Sequence, residues 1–243
     1  MPLIGCTCET CTSDDPRDNR LRCSIHIEHN DNSFVIDTSS DFRQQMLQHK
    51  ITNLDAILFT HHHCDHIMGF DDIRAFNFLQ NVSMPIFASH ITMQNIKRAF
   101  IHAFEHPSEI GGGVPTIDQI IIDDDPFVIN GSEFIPIELF HGPLQVYGFR
   151  IGNFAYCTDT NFIPKESLEK LQDLEVLVID ALRHKKHPTH FSLDEALATI
   201  AYLKPQQAYL THISHHLKHH ETELILPEGV NVAYDGMKIE IDH

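Results

Sequence analysis

The sequence has few basic residues for its length, and this scarcity limits what the protein can bind. Lysine and arginine number 17 against 34 aspartate and glutamate residues, which gives a formal net charge of −17. Nucleic-acid binding depends on lysine and arginine to displace the counterions of the phosphate backbone. The charge balance therefore argues against a long nucleic acid as partner, whereas a small anion at a metal site is compatible with it.

Long apolar runs are also missing from the sequence. A membrane-spanning helix needs about 20 consecutive apolar residues, and no window approaches that length. The amino terminus, MPLIGCTC, has no basic region followed by an apolar stretch, which a secretory leader would have. We therefore expect a soluble, cytoplasmic protein without a membrane partner. At 243 residues, the chain 1–243 is expected to form one domain with a substantial core.

The densest group of potential metal ligands lies in the stretch THHHCDH, residues 60–66. An apolar stretch precedes it and predicts a strand, and the motif His-x-His-x-Asp-His comprises His61, His63, Asp65 and His66. Alternate residues of an extended chain share a face, so His61 and His63 can reach one cation. Asp65 and His66, at the turn that follows, can reach a second cation. The alternative is a group of surface histidines in a chain that holds 20 of them. The preceding strand and the aspartate favour a metal site, and this ligand set suits zinc, iron or manganese.

Three further potential ligands each follow a predicted strand. His141 follows the strand 134–140, Asp159 follows 153–158, and His212 follows Gln207–Thr211. The carboxylate of Asp159 has two oxygens and can bridge two cations, although it could instead cap the turn before a helix near Pro164. The stretch QAYLTH repeats the pattern of DAILFTH in the first half, which suggests two related halves.

Half of the six cysteines are bunched in a polar loop, residues 5–24. Cys6, Cys8 and Cys11 form Cys-x-Cys-x-x-Cys, whereas the other three cysteines stand apart. In an intracellular chain such bunching indicates metal rather than disulfides. Three thiolates can occupy three corners of a tetrahedral zinc site, and His215 is a candidate for the fourth. His216, His219 and His220 compete for this role or form a solvated helix face, and free or redox-active thiols are the alternative for the cysteines.

A dense basic patch lies ahead of a predicted helix and could hold a phosphate. Its residues are Arg183, His184, Lys185, Lys186, His187 and His190. The helix Leu193–Leu203 follows Ser192, a favourable cap with Glu195 at the capping-box position. His190 therefore lies just before a helix start, in a loop expected to face the metal site.

The remaining pattern alternates strands and helices. Strands 22–28 and 34–37 flank an Asn/Asp-rich turn and predict a hairpin. The glycine triplet 111–113 is followed by Val-Pro, which does not match a phosphate-binding loop, and we interpret it as a loop bordering the active site. The chain closes with a turn at Asp235–Gly236 between two short strands. Helices are predicted at 41–49, 71–79 and 89–104, and further strands at 85–88, 117–122, 127–129, 146–151 and 175–180.

These features together resemble the PhnP-type phosphoribosyl cyclic phosphate phosphodiesterases, a branch of the metallo-β-lactamase superfamily. The resemblance rests on GCTCETC, DPRDNRLR, THHHCDH, HG at His141, CTDT, HFSL at His190, LTHISH and the closing DGM. It implies an α/β fold, the four-layer αββα sandwich of two mixed β-sheets flanked by helices. Relatives begin with a strand and a Gly-Thr-Gly-rich loop before the cysteine motif, whereas this sequence starts at MPLIGC. Either the start is truncated or another segment covers that sheet edge.

The resemblance also implies residue roles. One active-site ion would be bound by His61, His63 and His141, and the other by Asp65, His66 and His212, with Asp159 as bridge. A separate structural zinc would be bound by Cys6, Cys8, Cys11 and His215. Asp65 and His190 are expected to serve catalysis, and His190 corresponds to a histidine thought to assist it.

The expected function is a metal-dependent hydrolase that cleaves a small, cyclic phosphodiester through a hydroxide held between two metal ions. The ions would be zinc or manganese, with iron as a further option. The alternatives are another hydrolase of this fold, acting on a thioester, lactone, β-lactam or transfer-RNA 3′ end, and a non-catalytic metal-binding protein. A homodimer is an open alternative for the assembly.

Overall fold

The computed structural model describes residues 1–105 and 113–241, which fall into two compact units. The split unit consists of Met1–Leu21 and Glu133–His243, and the continuous unit consists of Arg22–Ser132. The expected single domain over residues 1–243 stays a prediction. Residues 111 and 112 of the glycine triplet lie outside the described residues, so the predicted loop there is not tested.

The continuous unit is built on a mixed sheet with the strand order β1-β2-β3-β4-β5. β1 and β2 are antiparallel, and β2, β3, β4 and β5 pair in parallel. The strands are β1 (Ile25–His29), β2 (Asn32–Ile36), β3 (Ala56–Leu58), β4 (Met84–Ser89) and β5 (Ile117–Ile122), with β6 (Phe127–Ile129) further along the chain. The helices are α1 (Phe42–His49), α2 (Cys64–Ile67), α3 (Arg74–Gln80), α4 (His90–Ala99) and α5 (Ile101–Glu105), with a 3-10 helix at Phe70–Ile73.

The predicted hairpin is confirmed, and its turn explains the local sequence. His29 pairs with Asn32, so Asn30 and Asp31 alone form the turn. Both have positive φ, 51° and 61°. A two-residue turn of this type matches the twist of the flanking strands and requires residues that tolerate the left-handed conformation, among which asparagine and aspartate are the best after glycine.

Two helices of the continuous unit differ from the prediction. The helix expected over 89–104 is interrupted at Phe100, whose φ of −121° ends α4. The Phe100 ring stacks on Phe70 at 4.8 Å and is buried, so tertiary packing overrides the helical pattern at this position. The short helix α2, which carries Asp65 and His66, was not predicted from the sequence.

Each unit has its own apolar core. In the continuous unit, Val35, Ile57 and Ile86 from the sheet pack with residues of α1, α3 and α4, such as Phe42 and Ile96. Burying one such side chain stabilises the fold by about 1.5–3 kcal/mol. In the split unit the core joins the sheet to α7, whose buried residues are Leu193, Ala196, Ile200 and Leu203.

The sheet of the split unit is also mixed, with neighbours in the order β12-β11-β10-β9-β8-β7. Strands β9 to β12 are parallel, whereas β7, β8 and β9 are antiparallel neighbours. The strands are β7 (Ser132–His141), β8 (Leu144–Ile151), β9 (Phe154–Cys157), β10 (Val176–Asp180), β11 (Gln207–Thr211) and β12 (Val230–Val232). The helices are α6 (Lys165–Lys170), α7 (Leu193–Leu203) and α8 (His219–Glu223), with a 3-10 helix at Pro16–Asp18.

The start of α7 follows the prediction, and the end of the chain does not. Ser192 and Glu195 form the complete capping box. The turn at Asp235–Gly236 is present, but β12 ends at Val232 and residues 237–241 form no strand, so the predicted pair of flanking strands is wrong. None of the helices within residues 1–105 and 113–241 combines the length and apolar character that crossing a bilayer requires.

Candidate metal centre

The sheet of the split unit brings four polar residues to the carboxyl ends of neighbouring strands. His141 is the last residue of β7, Asp180 is the last of β10, and His212 follows β11 directly. Asp159 lies two residues beyond β9. Because β9, β10 and β11 run parallel, their carboxyl ends meet at one edge, where open α/β sheets bind ligands.

Two of these residues adopt a backbone conformation that is uncommon for their type. Asp159 and His212 have φ of 52° and 55°, in the left-handed region. Residues other than glycine are rarely found there, and such strain concentrates at functional sites. The sheet therefore ends in two abrupt turns that aim a carboxylate and an imidazole at the same edge.

The side chains of the split unit converge. Potential ligand atoms of His141, Asp159 and His190 lie within 4.8 Å of one another, and so do those of Asp180, His190 and His212. His212 Nε2 is 3.4 Å from Asp159 Oδ1. The His190 and His212 rings stack at 4.6 Å with an interplanar angle of 12°.

Two of these histidines have Nδ1 committed to protein acceptors. His141 donates from Nδ1 to the Thr189 carbonyl at 2.7 Å. His190 donates from Nδ1 to Asp180 Oδ2, also at 2.7 Å. Hydrogen bonds of this kind fix the ring orientation and the tautomer of metal-binding or catalytic histidines, so Nε2 is the atom that would meet a ligand.

The carboxylate of Asp180 holds the His190 ring in place. This carboxylate is buried, and Oδ2 also accepts the Thr160 amide at 2.9 Å. Burial raises the pKa of Asp180, and the hydrogen bond from His190 opposes that rise. The carboxylate of Asp180 therefore fixes the orientation and the tautomer of the His190 ring.

The His61–His66 motif begins three residues after β3 and continues into α2 of the continuous unit. The ring of His61 lies 4.6 Å from that of His63 and 4.3 Å from that of His66, centroid to centroid. His66 Nε2 is 3.8 Å from Asp65 Oδ2. His61 and His66 are buried, whereas His63 is exposed and Asp65 is half-exposed. The motif thus presents three imidazoles and a carboxylate as one cluster.

One buried carboxylate, Asp37, orients two histidines of this cluster. His66 donates from Nδ1 to Asp37 Oδ2 at 2.7 Å. The Thr60 hydroxyl donates to the same oxygen at 2.7 Å, so its oxygen is left to accept from His61 Nδ1 at 3.0 Å. Burial raises the pKa of Asp37, and the bonds from His66 and Thr60 counteract it. Asp37 itself has φ of 65°, again in the left-handed region.

A second candidate site, the cysteine site, consists of Cys6, Cys8, Cys11 and His215 in the split unit. His215 Nδ1 lies 3.4 Å from the Sγ atoms of Cys6 and Cys8 and 3.5 Å from that of Cys11. A hydrogen bond from the Cys11 amide and the contact with His215 lower the pKa of Cys8 to about 6. Cys8 is therefore largely a thiolate at neutral pH, the form that binds metal.

The distances in the cysteine site can be compared with those of a tetrahedral zinc ion. Zinc bonds of about 2.3 Å to sulfur and about 2.0–2.1 Å to nitrogen, at tetrahedral angles, separate sulfur from nitrogen by about 3.5–3.6 Å. The three sulfur–nitrogen distances agree with that separation within about 0.2 Å. The residues present therefore fit a structural zinc ion.

The remaining predicted residues fall outside these clusters or take other roles. Arg183 donates to the carbonyls of Lys185 and Lys186 at 3.1 and 3.0 Å, so it shapes the basic loop. His184, Lys185 and Lys186 are exposed. His219, a competing candidate for the cysteine site, is buried and accepts from Arg20, so the predicted solvated face is wrong for it. His216 and His220 are exposed.

Three supporting residues were not assigned roles from the sequence. Asp37, Asp180 and Thr189 hold the imidazoles through Nδ1. Asp37 and Asp180 do carry a signal, because each is an acid at the end of an apolar strand, in SFVID and EVLVID. Thr189 acts through its backbone carbonyl and leaves no such signal.

Comparison with known proteins gives matches to most of the chain. Residues 32–213 match the family described as "Beta-lactamase superfamily domain". A crystal structure described as that of "a New Diphosphatase from the PhnP Family" is 39% identical, with a TM-score of 0.91, and covers 98% of this chain and 91% of that chain. Zn(2+)-bound PqqB from Methylobacterium extorquens has a TM-score of 0.78 over 99% of this chain and 95% of that one, and at 15% identity this likeness concerns the fold alone.

A curated protein from Porphyromonas gingivalis, named octanoyltransferase, is 34% identical over 247 residues. The alignment covers 100% of this chain and 49% of that protein, so the chain spans about half the length of its curated relative. The mixed sheets flanked by helices, the match over residues 32–213 and the similarity to the PhnP-family structure agree with one another. The chain belongs to the metallo-β-lactamase superfamily, in its PhnP-type branch.

Proposed function

We propose that the protein is a two-metal phosphodiesterase that hydrolyses a small, cyclic phosphodiester. The observation that carries the proposal is a shared arrangement of the histidines. His61, His66, His141 and His190 each have Nδ1 at hydrogen-bonding distance from a protein oxygen, which fixes the orientation of each ring. Storage of metal does not require orientation of this kind, whereas catalysis at an open metal site does.

The proposed ligand sets follow the family resemblance and the chemistry of the donors. One ion would be held by His61, His63 and His141, and the other by Asp65, His66 and His212, with Asp159 shared. Imidazole and carboxylate donors suit zinc, manganese or iron. Two such ions, when bound, would supply Lewis acidity towards the phosphoryl oxygens and a nucleophile derived from water at neutral pH.

We assign the proton of the leaving group to His190. Asp180 accepts from Nδ1 at 2.7 Å and so leaves Nε2 to carry the proton that a departing alkoxide needs. An imidazole is the side chain most often used for this step, and the buried carboxylate behind it holds the ring in place. Alternatively, the same Nε2 would donate a hydrogen bond to a phosphate oxygen.

Two observations support a phosphodiester rather than a carbonyl compound as the substrate. The similarity to a diphosphatase supports a phosphorus ester over a carbonyl substrate. Two exposed lysines of the loop, Lys185 and Lys186, add positive charge within a few residues of His190, and Lys186 also pairs with Glu195 at 3.0 Å. A carbonyl substrate would not require this charge. The net charge of −17 disfavours a long nucleic acid, which includes transfer RNA.

The experiment that tests the proposal compares substrates on one metal-loaded preparation. Hydrolysis of a ribose cyclic phosphate, bis(4-nitrophenyl) phosphate, an octanoyl thioester, a lactone and a cephalosporin is measured with and without a chelator. We expect chelator-sensitive hydrolysis of the phosphodiesters. Faster turnover of the octanoyl thioester would instead favour acyl chemistry, as the name of the curated relative suggests for that longer protein. Metal-replete protein without any hydrolysis would favour a binding role.

A further inference from the structure

The cysteine site and the proposed active-site ligand His212 lie on one short segment of the split unit. His212 follows the last residue of β11, and His215 comes three residues later. Three residues span at most about 11 Å when fully extended, so the segment has little slack. We call the proposed two-metal site, with the ligands His61, His63, Asp65, His66, His141, Asp159 and His212, the histidine–carboxylate centre. We propose that the cysteine site positions His212, and that His215 is a positioning residue for metal binding at this centre. This inference rests on the proposed function of that centre.

The backbone of His212 needs support from outside the sheet. The parallel pairing of β10 and β11 ends at Asp180 and Thr211, so His212 lies beyond the ladder. Its φ of 55° is unfavourable for a histidine, and a residue in that region is retained only where its surroundings enforce it. A firm anchor three residues further on supplies such enforcement.

A small movement of His212 would change its distances to two other proposed active-site residues. Its Nε2 is 3.4 Å from Asp159 Oδ1, and its ring stacks on His190. Asp159 is the proposed bridging ligand and His190 the proposed proton donor. An anchor that fixes His212 therefore also fixes its spacing to both of these groups.

The anchor itself is a rigid one when it binds metal. His215 Nδ1 meets three sulfur atoms at 3.4–3.5 Å, and the ring would be the fourth corner of a zinc tetrahedron. Further contacts also act on the segment: Ile213 is buried, its carbonyl accepts from the Met1 amino group at 2.6 Å, and the Ser214 amide donates to the Leu182 carbonyl at 3.0 Å. If these contacts were sufficient, loss of the cysteine site would leave His212 in place, and the experiment below tests that alternative.

The test uses three variants of the full chain loaded with cobalt. His215→Ala removes one corner of the cysteine site, and His215→Cys replaces it with a ligand that zinc and cobalt also accept. His220→Ala is the matched control, because His220 is exposed on α8. Sulfur-to-cobalt charge-transfer absorption reports the cysteine site, and the weaker d–d bands under chelator titration report the affinity of the histidine–carboxylate centre.

We expect His215→Ala to lose the charge-transfer bands and to weaken metal affinity at the histidine–carboxylate centre by about tenfold or more, as loss of a supporting residue does in other metal sites. His215→Cys should restore both signals, and His220→Ala should leave both unchanged. Loss of the charge-transfer bands with an unaltered chelator titration would overturn the inference, because His212 would then be positioned independently.

A second measurement applies if His215→Ala does not fold. Zinc-loaded Cys64→Ser protein, which lacks the exposed Cys64, is titrated with an organomercurial while a chromophoric chelator records released zinc. Release of more than one zinc per chain supports the coupling, and release of one zinc alone overturns it. Neither measurement uses a substrate, so an inactive phosphodiesterase would refute the proposed function without affecting this inference.

Discussion

His190 donates its Nδ1 hydrogen to Asp180 at 2.7 Å, and both side chains are buried. The pair lies behind the edge of the sheet at which Asp159 and His212 meet. A buried carboxylate that holds the Nδ1 hydrogen fixes the tautomer and the orientation of an imidazole. Two roles can be compared for His190, proton donor and metal ligand. They predict different outcomes when the residue is replaced.

For His190→Ala, we predict a fall in turnover of about 10²–10⁴-fold, the usual contribution of a general acid. Metal content measured by mass spectrometry should stay at the wild-type value, because the proposed ligand sets do not include His190. His184→Ala, on the same loop and exposed, serves as control and should lose far less. A deficit of metal in His190→Ala would identify the residue as a ligand instead.

The Asp180→Asn variant tests the same pair from the other side. An asparagine can turn either its oxygen or its amide group towards Nδ1, so it no longer fixes one tautomer of the ring. We predict that turnover falls by about 10²–10⁴-fold, because the ring of His190 loses the carboxylate that holds its orientation and tautomer. Unchanged turnover would show that His190 does not depend on Asp180.

Gly69 makes a separate prediction about the histidine motif. Its φ of −85° is ordinary, but a Cβ at this position would collide with the Ser39 carbonyl oxygen and with Phe42 Cβ. We predict that Gly69→Ala destabilises the protein by about 1–3 kcal/mol in urea unfolding, the range for an overpacked core. The α2 helix ends just before Gly69, so metal affinity at His66 should fall as well. Gly113→Ala, where nothing lies within 4 Å of the added carbon, should change neither quantity.

Shortening a buried side chain in the core of the split unit should leave a cavity and lower the stability of the protein. Leu210 on β11 is fully buried, whereas Leu224 after α8 is 72% exposed. We predict that Leu210→Ala lowers the free energy of unfolding by about 2–5 kcal/mol, and that Leu224→Ala changes it by less than about 0.5 kcal/mol. Equal effects of the two substitutions would show that the core described for this unit does not govern its stability.

The features that could be predicted depend on residues that lie close together in the sequence. The histidine and aspartate positions after strands could be predicted because an apolar run followed at once by a potential ligand is a local pattern, as in LTHISH. The capping box at Ser192 is local too, since its two partners lie three residues apart. The two-residue hairpin turn at Asn30–Asp31 belongs to the same class.

The features that could not be predicted depend on contacts between distant positions. Asp37 acts on His66 from 29 residues away, and the Thr189 carbonyl acts on His141 from 48 residues away. The break at Phe100 is set by the stacking on Phe70, which no helical periodicity encodes. Residues that orient ligands are therefore harder to find from a single sequence than the ligands themselves.

The last prediction concerns acid stability and the buried His219. Arg20 donates to His219 Nδ1 at 2.9 Å, and the His219 amide donates to the buried Asp18 at 2.7 Å. Burial, followed by the charges of Arg20 and Arg17, lowers the pKa of His219, although Glu223 and Asp15 act in the opposite direction. The neutral ring is thus the form that the folded state prefers, because only the neutral ring can accept from Arg20.

The sign of the pH dependence follows from that lowered pKa. As the pH falls below about 6.5, the unfolded chain takes up a proton on His219 before the folded protein does, so the stability that this residue contributes declines until the folded pKa is passed. His219→Asn keeps an oxygen acceptor for Arg20 and cannot titrate. We predict that urea unfolding between pH 7 and pH 5 shows a smaller loss of stability in His219→Asn than in the wild type. His220→Asn, exposed and adjacent, should follow the wild type, and identical pH profiles for all three proteins would contradict the assignment.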